Sequence, residues 1–411
     1  MPEGTLHIDS IAAGGDGVAR ADGMVVFVPR TAPGDVARVS YAPKGRFARG
    51  TLLALETPSA QRVAPPCEHY DGDRCGGCQL QHIQYEAQCD AKREIVHDAM
   101  VRIAHRADAP PPVVRPAAAP WRYRRKLTLA LRSRGDRWTA GLHPYDDPAA
   151  VFPLHDCPIT EERVLAAWRE VLAAGDSLPN APELRAAVRF DDAGAGSLVV
   201  EGGERWTAAQ RLLERAPSLE SIWWKPARAP RARAAASRAA GSSPAAAFAQ
   251  VNAAVAAALG AYVVDRVLAH EPRTVVDAYA GTGHTAIALA SDDRRVVAIE
   301  LDADASAWCA ARLPNGSRAV AATVEHALPS ALPADVVILN PPRAGVDRRV
   351  TDVLAPARAS TRAIVYVSCD PATLGRDVAR LPGWRVASLV SFDMFPHTAH
   401  VETVCELVPE G

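Results

Sequence analysis

Lysine is nearly absent from this 411-residue chain: Lys44, Lys92, Lys126 and Lys225 are the only four, so its positive charge is carried almost wholly by arginine. Lys and Arg together number 46 against 47 Asp and Glu, a formal net charge of -1. A protein-wide field that gathers polyanions is thereby excluded, and any such attraction must be local. Uninterrupted apolar runs of membrane-spanning length are also missing. The nearest, Asn252 to Val264, stops at Asp265 and Arg266 and reads as an apolar helix packed on a sheet. Met1-Pro-Glu-Gly-Thr-Leu has no secretory core, so a cytoplasmic protein with reduced thiols and no membrane partner is expected. There is no internal repeat, no Gly-x-Gly-x-x-Gly and no Walker lysine, which disfavours a pyrophosphate-bearing cofactor.

The second half of the chain has buried-strand signals at regular intervals. Arg273-Thr-Val-Val-Asp-Ala-Tyr-Ala-Gly-Thr-Gly-His reads as a strand, a tight glycine turn and a helix start, and Val296-Val-Ala-Ile-Glu as the next strand. Asp335-Val-Val-Ile-Leu-Asn and Ala363-Ile-Val-Tyr-Val-Ser-Cys follow the same pattern. Near-continuous apolar strands separated by helical stretches predict a parallel sheet covered on both faces. In such sheets ligands lie beyond the carboxyl ends of the strands, where Gly281, Gly283, Glu300, Asn340 and Cys369 all fall. Glu300 is placed to accept hydrogen bonds from ribose hydroxyls, and the short glycine pair favours S-adenosylmethionine.

Cys369, in Val-Ser-Cys-Asp-Pro, and Glu402, in His-Val-Glu-Thr-Val, pair a soft nucleophile with a base. An isolated cysteine is more often a buried apolar residue, and an isolated glutamate a surface charge. Here the crevice around them favours chemistry.

In the first half, Cys67, Cys75, Cys78 and the distant Cys157 group three plus one. Four thiolates suit a [4Fe-4S] cluster or a tetrahedral zinc, and spacing alone leaves the two open. The first spacing, with seven intervening residues, is not that of a radical enzyme. Cys89, Cys309 and Cys405 read as packing residues. Short alternating runs with Asp22-Gly23 and Pro33-Gly34 turns predict a small antiparallel barrel over residues 1–58. Lys44, Arg46, Phe47 and Arg49 on one of its hairpins, and Arg122, Arg124, Arg125 and Lys126 further on, are the candidate RNA contacts.

Phe248-Ala-Gln-Val-Asn, Asp277-Ala-Tyr-Ala-Gly-Thr-Gly, Asn340-Pro-Pro-Arg-Ala-Gly, Ser368-Cys-Asp-Pro-Ala-Thr-Leu-Gly-Arg-Asp and His400-Val-Glu-Thr-Val together resemble the bacterial RNA uracil-C5 methyltransferases that carry a TRAM domain and an iron-sulfur cluster. The resemblance spans nearly the whole chain. It implies an α/β class I, Rossmann-like methyltransferase domain over 247–411, an OB-like TRAM barrel over 1–58 and a central α+β iron-sulfur domain over 59–246. It makes Cys369 the nucleophile and Glu402 the base, with Gln250, Tyr279, Gly281, Gly283, His284, Glu300 and Asn340 around S-adenosylmethionine. It assigns Cys67, Cys75, Cys78 and Cys157 to a structural [4Fe-4S] cluster. The implied reaction is methylation of uridine C5, first in 23S ribosomal RNA and second in transfer RNA, by a monomer. The alternative from another class is an RNA-binding iron-sulfur protein without turnover. One position departs from the family, which has aspartate where Asn340 stands. Asn-Pro-Pro also marks amino-group methyltransferases, but those place an aromatic where this chain has Arg343.

Overall fold

The computed structural model describes residues 1–135, 137–238 and 250–411; Phe248 and the expected start of the last domain at 247 lie outside the described residues. Three sheets organise the chain. The first contains six short strands between Glu3 and Thr57, mostly antiparallel, with Met24–Val28 and Phe47–Thr57 paired in parallel. Asp22 and Gly23 adopt φ of 49° and 78°, the left-handed pair that a two-residue hairpin turn needs. Ile8, Ala19, Val26, Val28, Val39 and Ala48 alternate inward to form its core.

The second sheet has seven strands, in the spatial order Phe152–Pro153, Arg137–Leu142, Lys126–Arg134, Glu183–Phe190, Gly196–Glu201, Ser221–Lys225 and Arg233–Ser237. Leu127, Leu129 and Leu131 pack with Leu184, Ala186 and Val188 beneath the helices Glu162–Ala173 and Ala209–Arg215. Those helices lie on one face. The intervening residues, Lys126, Thr128, Ala130 and Arg132, are only partly covered.

The third sheet has eight strands. Arg318–Ala321, Arg295–Glu300, Thr274–Ala278, Val336–Leu339 and Ala363–Ser368 run parallel, followed by antiparallel Glu402–Pro409 and then Trp384–Phe392. Strand order reverses between Thr274–Ala278 and Val336–Leu339, the place where a crevice opens in a doubly wound sheet. Every residue of Val336–Leu339 and Ala363–Ser368 is buried, as expected for strands covered on both faces. The eighth strand, Val113–Arg115, comes from far upstream and pairs with Val390–Phe392. Helix Tyr85–Arg102 joins the same unit, placing Met100 in the core beside Leu374 and Val378. The three layers are therefore not three consecutive stretches of chain.

Candidate active site

The glycine turn is built by backbone conformation. Tyr279, Gly281 and Gly283 have φ of 63°, 57° and 81°. A Cβ on Gly283 would lie 2.1 Å from Cys309 Sγ, so this cysteine, read from sequence as packing, is what requires glycine there. A Cβ on Gly281 would meet nothing within 4 Å, so that backbone faces open space. Glu300 is held at the carboxyl end of its strand: Oε2 accepts the Gly281 N–H and Oε1 the Asp302 N–H, both at 2.8 Å. Each oxygen keeps a lone pair for ribose hydroxyls, so the residues suit an adenosyl group. Asp277 is buried under this turn with Oδ2 lacking a partner. Burial, and then the charge of Glu300, push its carboxyl up to about 7. Tyr279 is half-buried, His284 is exposed at the start of the following helix, and Asn340 is exposed where its N–H donates to Ala278 O at 3.2 Å. Nothing local in the sequence marks Asp277 as a titrating group beyond a carboxylate set inside an apolar run.

Cys369 directly follows the strand Ala363–Ser368, and Glu402 opens the neighbouring strand Glu402–Pro409. Ser368 opposes Thr403 in the register, which sets Cys369 and Glu402 across from each other at the same sheet end. Glu402 is 5% exposed. Burial lifts its carboxyl to about 7, against the opposing pull of the Arg343 guanidinium and a hydrogen bond from the Gln250 side chain. The half-buried Cys369 thiol is raised by burial and next by the Glu402 charge, while Arg343 acts against both. Gln250, Arg343, Cys369 and Glu402 thus form one group.

Gln250 is itself anchored. Buried Arg125 donates through Nε to Gln250 O at 3.0 Å, its backbone N–H donates to Val251 O at 3.0 Å, and its guanidinium pairs with Asp192. Asp192 in turn feels His284. The basic segment expected to touch RNA is therefore largely occupied: Arg122 grips both oxygens of Asp156 at 2.8 and 2.9 Å, and Arg124 donates to Lys126 O at 2.8 Å. These side chains knit the central sheet to the catalytic crevice, a role invisible in their spacing.

The segment leading into Glu402 is clamped from several sides. Asp393 is fully buried and receives Lys92 Nζ and the Tyr85 hydroxyl. His397, at φ 67°, stacks on Trp121 with ring centroids 3.7 Å apart. Its carbonyl accepts N–H bonds from Gln79 at 3.1 Å and Leu80 at 2.9 Å, and its N–H donates to Gln88 Oε1 at 2.9 Å. Tyr123 donates to Pro396 O at 3.1 Å. None of these long-range partners carries a local sequence signature.

Cys67, Cys78 and Cys157 are drawn to one region around Tyr70, Tyr123 and Ile159, and Cys75 lies close enough to feel the charges of Cys157 and Cys67. Burial pushes the Cys67 and Cys75 thiols up to about 11 and Cys78 to about 12, and the Cys157 charge raises each of the three further. Among the described residues, the set of three metal-type donors within 4.8 Å of one another is Glu68, His69 and His155, and no three of these sulfurs meet that spacing. Arg30 lies over the Tyr70 ring at 3.4 Å, donates to Cys75 O at 2.7 Å and keeps a buried Nη1 without a partner. A guanidinium with one unpartnered buried nitrogen beside Cys75 and Cys78 fits a nest that carries negative charge.

A family model described as tRNA (Uracil-5-)-methyltransferase matches residues 328–408. An uncharacterised RNA methyltransferase of Gloeobacter violaceus is 33% identical, over 98% of this chain and 96% of its own length. Another from Thermosynechococcus vestitus is 31% identical over 98% and 97%. The solved Pyrococcus abyssi tRNA (uracil-54, C5)-methyltransferase in complex with S-adenosyl-L-homocysteine shares the fold: TM-score 0.72, 22% identity, covering 99% of this chain and 100% of that one. The chain belongs to the RNA (uracil-C5) methyltransferase family and is an RNA methyltransferase that uses S-adenosylmethionine.

Proposed function

We propose that the enzyme methylates C5 of a uridine, with 23S ribosomal RNA as the first candidate substrate, through a transient bond between Cys369 and the base. The carrying observation is the placement of Cys369 and Glu402 across one strand pair, with Arg343 and Gln250 beside them, at the carboxyl end of the sheet. Uracil C5 is a weak nucleophile. Once Cys369 has lost its proton to solvent, addition of the thiolate to C6 moves the C5–C6 electron pair toward an enolate, so C5 can attack an electrophilic methyl. S-adenosylmethionine, when bound, supplies that methyl group. Glu402 then takes the C5 proton, the electron pair reforms the C5–C6 double bond, and sulfur leaves as thiolate. A carboxyl near 7 is half-deprotonated at neutral pH, matched to such a transfer. Arg343 balances the negative charge that develops, and Gln250 orients the carboxylate. The target base must leave its stack to reach the thiol, which favours unpaired RNA.

Gly281, Gly283, Tyr279, His284, Glu300 and Asn340 line the methyl-donor side in this reading, with Glu300 fixed for ribose. Cys67, Cys75, Cys78 and Cys157 hold a [4Fe-4S] cluster, whose structural role is supported by the Arg30 cation and by the ties of Gln79 and Leu80 to His397. The six-stranded sheet is assigned as the TRAM module, with exposed Lys44 and Arg46 beside Phe47 as its RNA-facing hairpin. Incubation with methyl-labelled S-adenosylmethionine and unmodified ribosomal and transfer RNA should place label in 5-methyluridine. No label from the wild type, or undiminished label from Cys369→Ala, overturns the assignment.

A further inference from the structure

The central sheet is covered by helices on one face only, and its other face has a composition that the reaction chemistry does not account for. Strand register assigns its residues. Lys126 opposes Arg189, Ala130 opposes Arg185, and Arg132 opposes Glu183. Arg185 in turn opposes Glu201, which pairs with Lys225. Directly opposed residues share a face, so Lys126, Arg132, Arg185, Arg189 and Lys225 project from the side away from the helices. Thr128, Ala130, Ala187 and Val199 form a flat floor between them, with Trp223 alongside. All five cations and the floor residues are partly or fully exposed, and among the described residues no helix covers this face. A groove of about 600 Å³ runs over it, lined by Thr128, Arg132, Arg185, Glu201 and Lys225.

We propose that this open face is a docking track for the single-stranded RNA that flanks the target base. The inference rests on the enzyme acting on RNA. Charge complementarity selects the occupant: Lys126, Arg132, Arg185 and Lys225 against Glu183 and Glu201, with Arg189 beside Asp191, in a chain whose overall charge is -1. Both acids are engaged in ion pairs that water screens, Arg132–Glu183 and Arg185–Glu201, each at 3.1 Å. Exposed pairs of this kind contribute little, so phosphate oxygens can replace the carboxylates. The cations also crowd one another: Lys126 is pushed down by burial and then by Arg189, Arg185 and Arg124, a repulsion that a polyanion relieves. Trp223 offers a ring to stack a base on, as in other single-strand platforms. Position completes the case. From Lys126 to Arg132 the track runs about 20 Å along the strand. Its near end adjoins Arg125, the residue that holds the Gln250 carbonyl in the catalytic group. Lys126, at this end of the track, is the sequence neighbour of that anchor.

The test uses the full-length protein, a labelled unstructured RNA of about 20 nucleotides and titrations at several salt concentrations. Arg185→Ala/Lys225→Ala should weaken RNA binding about tenfold at low salt. It should lower the slope of log affinity against log salt by about 1.4, or about 0.7 per lost phosphate contact. The turnover rate at saturating RNA and the affinity for S-adenosylhomocysteine should stay unchanged. Lys126→Gln should give half that slope change, and Arg102→Ala, which removes an exposed cation on the helix Tyr85–Arg102, none. RNA affinity and salt slope equal to wild type in the double variant, with an unaltered melting temperature, overturn the track, including where that variant instead loses a protein partner. Failure of the wild type to methylate any RNA strikes the proposed activity instead, and the binding slopes still report on the face.

Discussion

Cys369 and Glu402 stand opposite each other one step beyond the Ser368–Thr403 register pair of two antiparallel strands, and the charge of Glu402 makes it harder for Cys369 to become negative. Glu402 raises the thiol's hold on its proton, and burial raises both groups. Arg343 is the counterweight. Arg343→Gln should remove the counterweight and lower turnover about a hundredfold, with a smaller change in affinity for S-adenosylhomocysteine; equal turnover would remove Arg343 from the site.

The two members of the pair should fail differently. Cys369→Ala removes the bond to the base, and both product and protein–RNA adduct should be absent. Glu402→Gln leaves addition and methyl transfer possible but blocks proton removal, so turnover should fall by roughly a thousandfold. A methylated RNA–protein species should accumulate on denaturing gels. Absence of that species in Glu402→Gln would assign the base to another residue.

Turnover should rise with pH through a midpoint near 7 as Glu402 loses its proton, and Glu402→Gln should abolish that limb. Stability should move the other way. The folded carboxyl lies above its ordinary value of 4.5, so its contribution is fully present below about pH 4.5 and is lost as pH rises through 7. Buried Asp277, raised from 3.8 to about 7, adds to the same trend. Glu402→Gln should then be more stable than wild type at pH 8, by on the order of 2 kcal/mol, and nearly equal to it at pH 4. Thermal melts at the two pH values decide this, and a destabilised variant at pH 8 would contradict the burial argument.

Arg125 is buried between Asp192 and the Gln250 carbonyl, so it acts on Glu402 through Gln250. Arg125→Lys keeps the charge but cannot span both partners. Turnover should drop about tenfold or more with little change in the KM for S-adenosylmethionine. The pH midpoint should move up, because the hydrogen bond from Gln250 lowers the Glu402 carboxyl. An unmoved midpoint would leave Arg125 with a purely structural part.

Lys92 and Asp393 form a fully buried ion pair between the Tyr85–Arg102 helix and the segment that leads into Glu402. Lys92→Met strands a buried carboxylate and should cost about 3 to 5 kcal/mol in denaturant unfolding. Lys92→Met/Asp393→Leu should recover much of that loss. A double variant as unstable as the single one would show that the pair's charge is not the issue.

The parallel strands, the glycine turn and the positions of Cys369, Glu402 and Glu300 were legible because buried strands and strand-end residues follow local pattern. Cys67, Cys75, Cys78 and Cys157 could be grouped by residue type, while their common neighbourhood comes from the fold. What local pattern could not show was partnership at a distance. Arg122 and Arg125 resemble nucleic-acid contacts until Asp156 and Asp192 meet them. Arg185 and Lys225 lie far apart in the chain, Lys225 at the head of an arginine-rich run, and are brought to one sheet face only through strand register. Val113–Arg115 joins a sheet whose other strands begin at Thr274, which no short-range period encodes.

The most direct measurement is trapping with RNA that carries 5-fluorouridine at the target position. Fluorine at C5 leaves no proton for Glu402 to remove, so elimination stalls after methyl transfer. A denaturation-resistant complex with wild-type enzyme should form, map to Cys369 by peptide mass and vanish in Cys369→Ala. If ordinary RNA is methylated under the same conditions and no such complex forms, catalysis does not pass through a bond to this sulfur.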